Sequence, residues 1–77
     1  MNISKIKQYI SDNKGKTFAF KFNGARNQVE EFVGIINKSY NSIFTINVIG
    51  KYPRTKSYSY NDILINNLEM KEIVMKS

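Results

Sequence analysis

The sequence predicts a single mainly β domain, one short helix followed by five strands, and three observations carry that prediction. Phe18, Phe20 and Phe22 alternate with Thr17, Ala19, Lys21 and Asn23, the period-two signature of a strand with one buried face. Ser57, Tyr58, Ser59 and Tyr60 alternate just as strictly until Asn61 and Asp62 break the period ahead of Ile63 and Leu64. The chain has 77 residues, which sets one domain with a small core.

The first element is helical. Ile3, Ile6 and Ile10 recur at helical spacing while Lys5, Lys7, Gln8 and Asp12 take the other side, so a short amphipathic helix is expected over residues 3–13. Asn2 or Ser4 is available to cap its start, and Gly15 suits a left-handed stop. Three isoleucines make a narrow stripe, that of a lid packed on the rest of the fold. The phenylalanine strand follows from Lys16. Its rings are read as core, because so short a chain has few other bulky side chains and burying each is worth roughly 1.5–3 kcal/mol.

Asn23 and Gly24 mark a turn, after which residues 28–39 form a long β-prone stretch interrupted by Gly34, where a bend or bulge is expected. Around it Val29, Phe32, Val33, Ile35 and Ile36 do not alternate cleanly. Ser39 to Ser42 supplies a turn into a strand over residues 43–49, and this pair is the expected hairpin. Gly50 to Arg54, with the only proline at Pro53, reads as a loop. The tyrosine strand and its pinned turn follow. Leu68 and Met70 then face away from Glu69 and Lys71 in a last strand over residues 67–74, and residues 75–77 are expected to be a tail. Closing such a sheet on itself removes its edges, so the order points to a small SH3-like or Sm-like five-stranded barrel over residues 16–74, with 1–77 as a single domain.

Charge and composition narrow the partners. Twelve Lys and Arg stand against six Asp and Glu, a net charge of +6. That balance favours acidic surfaces, but ten of the twelve are lysines spread along the whole chain, as on a solvated basic surface. There is no cysteine and no histidine, which removes disulfide staples and the usual zinc ligands and leaves packing or a second copy as support. No apolar run approaches the roughly 20 residues of a membrane span, and the N-terminal residues are not a continuous hydrophobic region, so a cytoplasmic location and no membrane contact are expected.

Chemistry is equally constrained. Without His or Cys the common general base and thiol nucleophile are missing. Glu30 and Glu31 are adjacent and face opposite ways in a strand, and Asp62 reads as a turn-stabilising acceptor. Gly15-Lys16-Thr17 lacks the upstream glycine of a phosphate loop. No enzyme and no cofactor are expected.

Several segments carry a resemblance. Gly15 to Arg26, Gly34-Ile35-Ile36, Ser39 to Phe44 and Ser57 to Leu64 resemble, in that order, the signature segments of the Veg family, covering about residues 3–72. The resemblance implies a small cytoplasmic protein with an SH3-like barrel and no catalytic residues, one that stimulates biofilm formation through transcriptional regulation. The chain departs from the family pattern in two places. The loop after Asn23 reads Ala25, Arg26, Asn27 and Gln28, a single arginine where the family carries several basic residues, and Asn41 stands where proline is common.

Two functional readings follow. In the first, the domain is a non-catalytic interaction module that binds a protein such as a transcriptional regulator, or a second copy of itself, through Tyr52, Tyr58 and Tyr60, since tyrosines supply amphipathic contact area. In the second it binds nucleic acid, with Lys21, Arg26, Lys51, Arg54 and Lys56 as phosphate contacts.

Overall fold

A computed structural model of the chain describes residues 2–25 and 28–74. The expected tail at residues 75–77 lies outside the described residues. Helix α1 spans Ile3–Asp12, and strands β1 Thr17–Asn23, β2 Val29–Ser39, β3 Ile43–Ile49 and β4 Arg54–Ser59 follow. A short helix α2, Tyr60–Leu64, leads into β5, Leu68–Glu72. All five strands belong to one antiparallel sheet in the order β4-β3-β2-β1-β5. No helix is long and apolar enough to cross a membrane among the described residues.

The ends of α1 follow from local chemistry. Asn2 caps it, its side-chain oxygen accepting from the Lys5 amide at 2.9 Å. The far end stops at Asn13, whose side-chain amide donates to the Tyr9 carbonyl at 2.7 Å, and Gly15 then takes φ 86°. Ile6 and Ile10 are buried, so the helix is the expected lid over the inner face of the sheet.

That inner face is aromatic. Phe18, Phe20, Ile36, Phe44, Ile46, Tyr58, Tyr60 and Leu68 join the two helix isoleucines in one core, with Phe22 and Phe32 packed against it. The contacts also measure the curl of the sheet. The Phe22 ring on β1 lies 5.0 Å from the Tyr58 ring on β4. Those strands are three steps apart, about 14 Å in a flat sheet, so the sheet coils until its first and fourth strands meet face to inner face. Hydrogen-bonded closure does not follow. Among the described residues no ladder joins β4 to β5, and the barrel expected from the sequence is an open, coiled sheet.

Two local expectations change. The irregularity in β2 sits at Asn37, where the register with β3 shifts between Ile36 and Lys38. Gly34 instead marks a close approach: a Cβ there would run into Cγ2 of Ile46 and stand 3.0 Å from the Asn47 carbonyl oxygen. The period break after Ser59 is also more than a turn. Ser59 Oγ accepts from the Asp62 amide and an Asp62 carboxylate oxygen accepts from the Ser59 amide, both at 3.2 Å, a reciprocal cap that starts α2 at Tyr60.

Candidate functional site

The three tyrosines singled out by the sequence have different surroundings. Tyr60 is 1% exposed, and its hydroxyl donates to the Tyr40 carbonyl at 2.7 Å. Tyr58 is 8% exposed, with the Phe22, Phe32 and Phe44 rings around it. Burial raises both phenol pKa values above the ordinary range. Buried rings offer a partner no contact area, so the contact surface expected from three tyrosines reduces to one. Tyr52 is 72% exposed in the loop before β4, with the Lys51 ammonium 5.7 Å from its ring centre.

The basic residues are equally dispersed. Glu30, inward-facing on β2, draws two of them in: Lys56 Nζ lies 2.5 Å from one carboxylate oxygen and Arg54 Nη2 lies 3.3 Å from the other. The Lys56 hydrogen bond and the two positive charges hold the Glu30 carboxyl below its usual range, and the same hydrogen bond raises the Lys56 ammonium. Lys56 also covers the Phe32 ring at 5.3 Å. Lys21 is on the outer face, in register with Glu31 on one side and Glu69 on the other. Lys51 lies over Tyr52, and Arg26 lies outside the described residues. No continuous run of unpaired cations results from Lys21, Lys51, Arg54 and Lys56.

The outer face of the sheet carries a feature that sequence reasoning missed. Antiparallel register places Ile49, Val33 and Ala19 in one row across β3, β2 and β1, with Asn47, Ile35 and Thr17 in the next. Ile49 is 50% exposed and Val33 37%. Ala19, the smallest of them, sits in a shallow depression rimmed by Lys21, Glu31, Val33, Glu69 and Lys71. The result is an apolar band with both signs of charge at its border. The signal in the sequence was the failed alternation of β2. Phe32 and Ile36 fill the core while Val33 and Ile35 point the other way, a strand apolar on both faces.

Comparison with known proteins adds to this geometry. The curated proteins contain no match to the chain. The family model described as "Biofilm formation stimulator VEG" matches residues 1–71, nearly the whole sequence. The chain therefore belongs to the family of the biofilm formation stimulator VEG.

Proposed function

We propose that this chain is a non-enzymatic cytoplasmic regulatory protein that promotes biofilm formation at the level of transcription, by binding a regulatory protein through the outer face of its sheet. One observation carries the reading: the exposed Ile49 and Val33 share a row with Ala19, and charges of both signs border it. Family membership supplies the biological context. The carboxylates support a non-catalytic role, since Glu30 is engaged by Arg54 and Lys56, Asp62 caps α2, and Glu31 faces away from Glu30. Protein contact is favoured over nucleic acid because Glu30, Glu31 and Glu69 intersperse the basic residues.

The test is binding of purified protein to candidate transcriptional regulators, compared with a Val33→Lys/Ile49→Lys variant whose fold is checked by circular dichroism. Binding that is lost in the variant supports the outer face; binding unchanged removes it. A parallel titration with single-stranded RNA and duplex DNA at two salt concentrations separates the classes. Steeply salt-dependent affinity for either would replace the protein-contact reading with nucleic-acid binding.

A further inference from the structure

The depression over Ala19 has a geometry set by the register of the sheet. It is lined by residues 31–33 of β2, 19–21 of β1 and 69–71 of β5. Pairing aligns Glu31, Lys21 and Glu69 in one outward row, and Val33, Ala19 and Lys71 in the next. The residues between the rows, Phe32, Phe20 and Met70, pack in or against the core, so the floor of the depression is sheet backbone. Outward residues two positions apart on a strand stand about 7 Å from each other. Non-bonded carbons touch at about 3.5–4.0 Å, so the gap between the rows accepts a single layer of atoms in contact with both walls.

The walls select what can enter. Ala19 offers only a methyl group and the other wall side chains are longer, so the hollow centres on β1. Lys21 and Lys71 stand on opposite walls, and Glu31 and Glu69 border them. All four charged residues are exposed, and none is in an ion pair among the described residues, whose two ion pairs both belong to Glu30. Unpaired ammonium groups on both sides of a gap one atom layer wide suit the faces of an aromatic ring. The carboxylates accept from a polar group on the ring's edge, an indole N–H or a phenol O–H. A branched aliphatic side chain is thicker than one layer and uses neither sign of charge.

We infer that the protein partner inserts the ring of a tryptophan or tyrosine edge-first into this gap, between Lys21 on one wall and Ala19 and Lys71 on the other. The ring's polar edge meets Glu31 or Glu69, and the rest of the partner's apolar contact continues over Val33 and Ile49 along the same row. One aromatic anchor in a small hollow is the usual place for much of the binding energy of a protein contact. The size of Ala19 then matters for binding, because any longer side chain there occupies the gap itself. The inference rests on the protein-contact reading for the partner's class and adds the chemistry that the partner presents.

The experiment is an amide-resolved NMR titration of the full chain with N-acetyl-tryptophanamide, and with N-acetyl-leucinamide as the aliphatic control. The expected result is saturable shifts centred on Ala19, Lys21, Val33 and Lys71, half-complete at millimolar aromatic probe, with the control weaker by about threefold or more. Ala19→Leu, which fills the gap from the outer face, should abolish the shifts. Lys71→Gln, which leaves the gap open, should weaken binding of the aromatic probe by about two- to fivefold, and keeps the test decisive if Ala19→Leu does not fold. Shifts scattered over the sheet, equal affinity for the two probes, or affinity unchanged in Lys71→Gln would overturn the inference. The same variants are then compared for binding to the regulator. Loss in Ala19→Leu as well as in Val33→Lys/Ile49→Lys supports the aromatic anchor. Loss in Val33→Lys/Ile49→Lys with binding retained in Ala19→Leu would overturn the anchor and leave the outer face standing. Binding retained in both would remove the outer-face reading and the anchor with it.

Discussion

Gly34→Ala should destabilise the domain although it adds a single methyl group. The new Cβ meets Cγ2 of Ile46 and lies 3.0 Å from the Asn47 carbonyl oxygen, and neither is the free end of a flexible side chain. Ile46 is fully buried, and Asn47 is held in the β2–β3 ladder opposite Ile35. Overpacking of this kind costs about 1–3 kcal/mol. Alanine recovers about 0.5–1 kcal/mol by restricting the unfolded chain. The net loss should be about 1–2 kcal/mol, which for a domain of this size lowers the melting temperature by roughly 5–15 °C. Urea denaturation and calorimetry measure both. Ile46→Leu moves the branch from Cβ to Cγ and so removes the atom that the methyl meets. A double-mutant cycle should therefore show favourable coupling of about 0.5 kcal/mol or more between the two changes. Stability unchanged or raised in Gly34→Ala, or additive effects in the double variant, would refute the close-approach account.

Further outcomes follow from the core, the cap and the ion pairs. Tyr60→Phe should cost about 0.5–1.5 kcal/mol in urea denaturation, because it removes the buried hydrogen bond to the Tyr40 carbonyl and keeps the ring. Ser59→Ala should cost about 1 kcal/mol by breaking the reciprocal cap of α2. The Glu30 carboxyl is held below its usual range by Lys56 and Arg54. Its contribution is therefore present above the unfolded carboxylate value of about 4.3 and lost as pH falls through the lower folded value. Glu30→Gln should flatten that acid limb in a stability-against-pH series, by no more than about 1 kcal/mol because the pair is substantially exposed. Tyr52→Ala, at an exposed loop position, should leave stability within about 0.5 kcal/mol of the parent.

Much of the fold was legible because each element announces itself locally. Asn2, Gly15 and the isoleucine spacing delimit α1, and the phenylalanine alternation gives β1 and its buried face. Ser59 and Asp62 sat at the position where the period breaks, although the sequence read as a turn what the reciprocal cap makes a helix. Asn37 was not legible, because Lys38 and Ser39 after it are polar and carry no apolar alternation against which a one-residue shift could be read. Closure was not legible either, since the coil of a sheet is a property of packed strands. The same coil explains the candidate site. Glu30 reaches Arg54 and Lys56 across the intervening β3 only because the sheet curls. Tyr58 and Tyr60 were candidate contact residues in sequence, and the inner face of β4 and the start of α2 put both rings in the core. The outer band was visible only as disorder in the alternation of β2, and needed the register of three strands to become a surface.

The proposed role is tested most directly by measuring biofilm mass in a strain whose own copy of this protein carries Val33→Lys and Ile49→Lys, with the protein level and its circular dichroism held equal to the parent's. Loss of biofilm stimulation to the level of a strain lacking the protein is the expected result. Parental biofilm mass in that strain would contradict the outer face as the surface through which the protein acts.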